Sequence, residues 1–386
     1  MNKNFLVEQY KSDKKINISH NYLSDQFKDY PLIFKKIAKV VKFNDFTLGF
    51  EVDRFENNFK KLINAKNCIA VGSGTDAIYM SLKCLGLTSG DEVITTPYTF
   101  YATVNAIVQA DCKPIFVDAK EDFNINPDLI EEKITKKTKA IVVVHWAGRI
   151  CDMKKIKKIA KKHNLYIVED ACHAALAKKD GIFAGNFGDI GCFSLHPLKN
   201  LNVWGDGGMM VTKNKNIAKN LKLLRNHGLI NRNEIKIFGI NSRLDTVQAV
   251  VANHLLKKLK NITNKRRENS KKLDLGLKNI EDIKIPKREV NNYEVFHLYC
   301  FRAKKRDQLI KFLHSKKIDA KKHYPIPMHL QLPSKKMGNY KKGDFPFSEK
   351  LCDETVSLPI HEFITEKDLN YMIKNINNFY SKNINS

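Results

Sequence analysis

The chain has 386 residues, 43% of them hydrophobic and 10% aromatic, which excludes wholesale disorder and favours one large domain with a smaller one. Lysine and arginine number 67 against 41 aspartates and glutamates, giving a formal net charge of +26. Dispersed lysines on solvated helix faces explain this excess better than a nucleic-acid partner does, and no apolar run reaches membrane-spanning length.

The N-terminal sequence and the cysteines indicate the compartment in which the protein works. No signal-peptide core follows the N-terminus, and the eight cysteines are scattered without a C-x-x-C pair or a metal-type cluster. Cysteines of this kind indicate reduced, mostly buried thiols. We therefore expect a cytoplasmic protein with neither a metal site nor a membrane partner.

The first two-thirds of the chain alternate between two patterns. Residues 31–41 have helical spacing, and from Cys68 to Val211 short β-branched runs alternate with amphipathic segments. The predicted strands are 92–95, 114–117, 140–144 and 166–169, and the predicted helices are 101–109, 127–133 and 153–163. This alternation predicts an α/β fold with a mostly parallel sheet covered by helices.

The last third changes character near residue 264. Helices are predicted at 216–225 and 244–259, followed by a strand at 295–302, helices at 307–315 and 366–380, and a proline-bearing loop at 323–329. We therefore divide the chain at residue 260. The prediction is a large α/β domain over residues 1–260 and a small C-terminal α+β domain over residues 261–386.

A turn of small residues, 71–78, opens into an apolar helical run. Its backbone amides can approach a phosphate closely, and a helix N-terminus adds positive potential. A simple N-cap by Ser73 or Thr75 explains the same residues.

Two strand ends carry further candidates. An aromatic side chain in segment 96–101 can stack on a flat ring, although a core position is a close alternative. Asp170 and His173 follow the strand 166–169. Asp170 is a candidate partner for a pyridinium nitrogen and His173 for a ring oxygen, whereas a helix N-cap and a structural histidine are the alternatives.

Lys199 lies between an apolar β-type segment and the glycine-rich turn 205–208, downstream of Asp170. A pyridoxal phosphate enzyme needs a lysine that forms a Schiff base and a carboxylate that keeps the pyridine nitrogen protonated. A surface lysine beside a glycine turn is the alternative. The ordered set of phosphate turn, aromatic, acid and lysine favours the cofactor.

Together these residues resemble the DegT/DnrJ/EryC1/StrS family of sugar aminotransferases, which have the PLP-dependent transferase type I fold of aspartate aminotransferase. The resemblance runs from about Phe46 to Tyr380. It is carried by segments 71–77, 90–94, 99–100, 169–174, 188–199, 205–208, 224–228, 241–244 and 323–331.

The resemblance implies a role for each candidate residue. Lys199 would be the Schiff-base lysine and general base, Asp170 the partner of the pyridine nitrogen, and Phe100 the stacking aromatic, with His173 at a ring-contact position. Gly74, Thr75 and Ser194 would hold the phosphate. Asn241 would reach the phosphate of the neighbouring subunit's cofactor, which implies a homodimer with shared sites. The remaining candidates, in the substrate loop, are His323, Tyr324 and His329.

The implied reaction takes an amino group from glutamate, or from glutamine, and gives it to a keto sugar on a nucleoside diphosphate. Glutamate would leave as 2-oxoglutarate, and the product would serve amino-sugar and surface-polysaccharide biosynthesis. The loop 323–331 favours a 3-keto sugar, with a 4-keto sugar left open. One alternative is a pyridoxamine-phosphate dehydratase, against which Lys199 argues because those enzymes use histidine there. The other is a non-catalytic regulator or binding protein.

Overall fold

The computed structural model describes residues 16–382, so the predicted domain limits at residues 1 and 386 lie outside the described residues. The helices are α1 Leu23–Gln26, α2 Tyr30–Lys42, α3 Phe50–Leu62, α4 Gly74–Cys84, α5 Tyr101–Gln109, α6 Met153–Lys162, α7 Lys215–Leu224, α8 Thr246–Leu256, α9 Leu259–Leu277, α10 Arg306–Ser315, α11 Leu332–Gly338, α12 Pro346–Glu354 and α13 Glu366–Lys382. The strands are β1 Asn67–Val71, β2 Glu92–Thr95, β3 Lys113–Phe116, β4 Thr138–Val144, β5 Tyr166–Asp170, β6 Lys178–Lys179, β7 Ile182–Phe183, β8 Ile190–Ser194, β9 Gly208–Thr212, β10 Ile283–Lys284, β11 Asn292–Tyr293, β12 Tyr299–Ala303 and β13 Thr355–Leu358.

The central sheet has seven strands in the order β1-β9-β8-β5-β4-β2-β3. The pairs of β2 with β3, β2 with β4, β4 with β5 and β5 with β8 are parallel, whereas β9 is antiparallel to both β8 and β1. The mostly parallel α/β sheet predicted from the sequence is therefore confirmed.

The local sequence explains these elements. Strand β4 is buried along nearly its whole length, as expected for the β-branched run of a sheet covered on both faces. Helix α6 begins after Asp152, whose side chain accepts a hydrogen bond from Lys155 N, and it buries Met153, Ile156 and Ala160 on one face. Its many lysines lie on the solvated side.

A second unit follows the central sheet. Strands β10, β12 and β13 form a three-stranded antiparallel sheet. Its hydrophobic cluster is distinct from the clusters around the central sheet and includes Leu273, Phe301 and Met372. Ile18 also packs in this cluster, although the sequence division grouped it with the large domain. The boundary at residue 260 falls at the start of α9 and stays a prediction.

Three predicted elements differ from the structure. Segment 127–133 forms two short 3-10 turns, Pro127–Leu129 and Glu131–Lys133, instead of one helix. The predicted helix 244–259 ends at Leu256, and α9 begins separately at Leu259. The predicted strand 295–302 starts only at Tyr299, because Val295 and His297 bond to the loop at Gly148 and Ala147.

No helix within residues 16–382 is long and apolar enough to cross a membrane. The same residues contain no group of three histidine, cysteine or acidic side chains placed to hold a metal ion. The eight cysteines are free thiols, and most of them are buried.

Candidate active site

Lys199 lies in the connection between β8 and β9. Main-chain bonds close this connection, because Leu195 N donates to Gly207 O at 2.8 Å and Val203 N donates to Leu195 O at 2.9 Å. The Lys199 carbonyl accepts a hydrogen bond from Asn202 Nδ2 at 2.8 Å. The backbone that carries the lysine is therefore held in one conformation.

Asp170 is the last residue of β5, and its register partner in the neighbouring parallel strand β8 is Cys192. The residue is 6% exposed, and its carboxylate accepts hydrogen bonds from Thr103 Oγ1 at 2.7 Å and from Cys172 N at 3.1 Å. Thr99 Oγ1 lies 2.8 Å from Thr103 Oγ1. Because Thr103 donates its hydrogen to Asp170, Thr99 is the donor in this second pair. Two hydroxyl groups in series therefore point towards the carboxylate.

The Lys199 amine lies within electrostatic reach of this carboxylate. Burial lowers the pKa of Lys199, and Cys172 and Asp170 act in the opposite direction. A lowered pKa increases the fraction of neutral amine near neutral pH. The neutral form is the one that acts as a nucleophile and as a base.

The glycine turn lies against the end of β8. A Cβ atom at Gly74 would lie only 2.8 Å from Cβ of Ser194, so this close approach needs glycine. Ser73 caps α4 by accepting a hydrogen bond from Asp76 N at 3.0 Å, as the N-cap alternative expected. The N–H groups of Gly74 and Thr75 belong to the first turn, where the helix offers no acceptor. The turn can therefore be a cap and a phosphate site at once.

Phe100 directly precedes α5 and is 37% exposed. Its ring centroid lies 5.9 Å from that of Tyr324, in the predicted substrate loop. Burial raises the pKa of Tyr324, and the Asp170 carboxylate adds to this effect. Phe100, Tyr324 and Asp170 therefore lie near one another.

His173 and His323 also lie near the lysine. Burial lowers the pKa of His173 well below its usual range, and the charge of Lys199 and the His323 ring lower it further. Burial lowers the pKa of His323 to about 3, with Lys199 again contributing. His173 Nδ1 accepts a hydrogen bond from Ala147 N at 3.3 Å, so its neutral ring carries the hydrogen on Nε2. Both rings are neutral at pH 7.

Asn241 occupies a different position. It is exposed and lies in a surface recess of about 230 Å³ together with Phe46 and Gly72, on the outer side of the glycine turn. Gly72 N donates to Ser242 Oγ at 3.0 Å, which ties the recess to that turn. The predicted contact of Asn241 with a neighbouring subunit stays a prediction.

His329 lies apart from the other candidate site residues. Its ring is fully buried, its Nε2 lies 3.0 Å from Glu349 Oε1, and its centroid lies 4.8 Å from that of Phe345. Within residues 16–382, the His329 ring contacts Glu349 and Phe345 and makes no contact with Lys199 or Asp170. The substrate contact of His329 therefore stays a prediction. The surroundings of His329 do not support it.

The assembled residues fit pyridoxal phosphate. The start of α4, with the N–H groups of its first turn, and the Ser194 hydroxyl beside it suit a phosphate. The exposed face of Phe100 suits a flat ring. Asp170 suits a cationic ring nitrogen, and the Lys199 amine suits an aldehyde.

Some residues of the site were missed by the sequence reasoning. Thr103 lies in the first turn of the predicted helix 101–109 and Thr99 lies just before that helix, so helical spacing alone did not bring the two together. His297, whose ring lies 4.3 Å from that of His173, comes from the second unit. No local pattern connects these two histidines.

Comparison with known proteins gives a consistent result. A family model described as the DegT/DnrJ/EryC1/StrS aminotransferase family matches residues 30–377. A pleiotropic regulatory protein of Geobacillus stearothermophilus is 37% identical over 369 residues, covering 95% of this chain and 99% of the relative. A dTDP-3-amino-3,6-dideoxy-alpha-D-galactopyranose transaminase of Aneurinibacillus thermoaerophilus is 36% identical over 348 residues, covering 90% of this chain and 95% of the relative.

Among solved structures, the crystal structure of S. venezuelae DesV superposes with a TM-score of 0.92 at 30% sequence identity. The match covers 95% of this chain and 99% of DesV. The likeness therefore extends over the central sheet and the second unit alike.

Proposed function

The chain belongs to the DegT/DnrJ/EryC1/StrS aminotransferase family, and on this premise we propose that it transfers an amino group from glutamate, or from glutamine, to a nucleotide-linked keto sugar. It is a pyridoxal-phosphate-dependent aminotransferase. The observation that carries the proposal is the placement of the Lys199 amine and the Asp170 carboxylate within electrostatic reach of each other at one cleft.

Pyridoxal phosphate, when bound, supplies an aldehyde that binds amines and a ring that accepts electrons. Lys199 would hold the aldehyde, and its amine would accept a proton from the donor's α-carbon and later return one. Its lowered pKa suits it to both tasks. Asp170, held by Thr103 and by Cys172 N, would keep the ring nitrogen protonated.

The acceptor is proposed to be a hexose with a keto group at C3, carried on a nucleoside diphosphate. The A. thermoaerophilus relative is named for a 3-amino sugar, which supports C3 over C4. His323 and Tyr324 face the cleft from the loop predicted to contact the sugar. The product would enter amino-sugar and surface-polysaccharide biosynthesis.

The enzyme is proposed to work as a homodimer in the cytoplasm. Phe46, 51% exposed, lines the same recess as Asn241, and Phe43 and Phe50 on either side of it in sequence are 70% and 69% exposed. Exposed apolar surface is typical of interaction sites when it is contiguous. The eight free thiols support a reducing compartment.

A regulatory role is the second candidate, because the G. stearothermophilus relative is named as a pleiotropic regulatory protein. A protein that had lost catalysis would not need the lysine and the acid at one cleft. Purified protein that stays colourless after addition of pyridoxal phosphate would favour the regulator.

Lys199→Ala is the decisive variant for the enzyme. We expect turnover of glutamate with 3-keto and 4-keto nucleotide sugars to fall by at least about a hundredfold, because the base is removed. Lys213→Ala, at an exposed lysine just after β9, is the matched control and should keep full activity. Borohydride reduction followed by peptide mass analysis should place the cofactor on Lys199. Undiminished turnover by Lys199→Ala refutes the assignment.

A further inference from the structure

A second cavity lies beside the segment that carries Lys199. It has a volume of about 270 Å³ and is lined by Leu198, which precedes Lys199, and by His297 and His323. The His297 ring lies 4.3 Å from the His173 ring, and the charge of Lys199 contributes to the lowered pKa of His297. We call this space the histidine cavity, since His20 and His361 also line it.

The charged lining of the histidine cavity is one-sided. Arg266 and Lys321 line it, and within the described part of the chain no carboxylate does. The acidic partners contact these cations: Glu362 Oε2 is 3.5 Å from Arg266 Nε, and Asp319 Oδ2 is 3.2 Å from Lys321 Nζ. Lining groups of this kind favour an anionic ligand.

Tyr22 presents a hydrogen-bond donor in the same cavity. Its hydroxyl oxygen accepts a hydrogen bond from Arg266 Nη2 at 2.8 Å, so its own hydrogen remains for donation. Burial raises the pKa of Tyr22 to about 12, so the hydroxyl stays protonated at neutral pH. Its ring is fixed by a stacked contact with His361, with centroids 4.8 Å apart.

Arg266 is fixed as well. Its Nη1 donates to the carbonyls of Phe296 at 3.2 Å and His297 at 3.4 Å, while Nη2 donates to Tyr22. A guanidinium carries five N–H groups, and these three bonds leave two of them within residues 16–382: one on Nη2, and the one on Nε, which lies 3.5 Å from Glu362 Oε2. Arg266 and Tyr22 thus form a rigid pair of donors beside Lys321.

The size of the histidine cavity selects among anions. Pockets that enclose drug-sized ligands measure roughly 300 to 1,000 Å³. A cavity of about 270 Å³ suits a small carboxylic acid better than a nucleoside diphosphate with its sugar.

We propose that the histidine cavity binds a carboxylate of the amino-acid donor, through Tyr22, Arg266 and Lys321, beside the Lys199 amine. This inference rests on the proposed function and specifies its donor site. A charge-assisted pair of donors of this kind is the usual receptor for a carboxylate. The N-terminal segment, through Tyr22, then contributes directly to donor recognition.

Tyr22→Phe tests the proposal, since it removes one hydroxyl and keeps the ring that stacks on His361. We expect glutarate and 2-oxoglutarate to bind at least about tenfold more weakly in calorimetric titrations, and the KM for glutamate to rise similarly. The KM for the nucleotide sugar should stay unchanged. Tyr371→Phe, at an exposed tyrosine on α13, is the control and should bind as the wild type does.

Lys321→Gln changes an exposed side chain of the same cavity and does not threaten folding. It should also weaken glutarate binding. If both variants bind glutarate normally, or if only the binding of a nucleoside diphosphate falls, the donor site is refuted. Because binding is measured without turnover, wild-type protein that binds glutarate but aminates no sugar contradicts the acceptor assignment alone.

Discussion

At the scale of single residues, the surroundings of the acid are as informative as the acid itself. Asp170 receives one hydrogen bond from a main-chain N–H and one from Thr103, which is fully buried and receives a hydrogen bond from Thr99. Hydrogen bonds arranged in series polarise one another and strengthen the last of them. The hydroxyl chain therefore fixes the direction in which the carboxylate faces the cleft.

Thr103→Val should lower kcat by about tenfold while changing the KM for either substrate little, because a hydrogen bond to a charged group is lost away from both substrates. Cofactor should still bind and colour the protein. Steady-state kinetics of both half-reactions make the measurement. Thr103→Ser keeps the hydroxyl and should restore the rate; failure of this rescue would show that the methyl packing, and not the hydroxyl, is what matters.

At the scale of elements, the site depends on where two strands end and one helix begins. Strand β5 ends at Asp170, β8 ends at Ser194, and α4 begins at Gly74. Parallel neighbours bring the ends of β5 and β8 to one edge of the sheet, where α/β folds bind their ligands. The close approach of α4 to β8 then sets the width of the phosphate site.

Gly74→Ala should widen that approach, since its Cβ would lie 2.8 Å from Cβ of Ser194. Overpacking of this kind costs about 1–3 kcal/mol in the free energy of unfolding, and we expect cofactor affinity to fall with it. Gly86→Ala, just beyond the other end of α4, is the control. Its added Cβ meets nothing within 4 Å, but its φ of +82° makes alanine strained.

Both glycine variants should therefore be less stable in urea unfolding, whereas only Gly74→Ala should bind pyridoxal phosphate more weakly in a fluorescence titration. Equal loss of affinity in the two variants would mean that general destabilisation, and not the phosphate site, is responsible.

At the scale of the whole molecule, one face of the chain is unlike a monomer's surface. Phe46, 51% exposed, lines the same recess as Asn241. An exposed apolar side chain beside a polar one, next to the phosphate turn, is what a dimer with shared sites would require. The proposed dimer accounts for both features at once.

Asn241→Ala should weaken cofactor binding by about tenfold or more, because a hydrogen bond to a charged phosphate would be lost. The mass measured by light scattering should remain that of a dimer, since the apolar contacts are kept. Asn216→Ala, at an exposed position in α7, is the control. Unchanged cofactor affinity in Asn241→Ala would contradict the shared site, and a monomeric wild type would contradict the dimer.

The sequence by itself determined the alternating strands and helices and the mostly parallel sheet. Strands β2 and β5 and helices α5 and α6 fall within a residue or so of their predicted bounds. Burial of one face gives the apolar residues of a strand a period of two and those of a helix a period of 3.6. Such elements can therefore be predicted from a short segment of sequence. Lys199 and Asp170 were predicted because each comes after an apolar strand-type segment, and their roles stay predictions.

Only the tertiary structure decided which distant residues share a cavity. Tyr22, Arg266 and His361 come from three separate segments, and no spacing along the chain relates them. It also separated His329 from His323, although both lie in one loop. The physical reason is that burial and hydrogen bonding between distant segments depend on how the elements pack, and a local pattern contains no information about that packing.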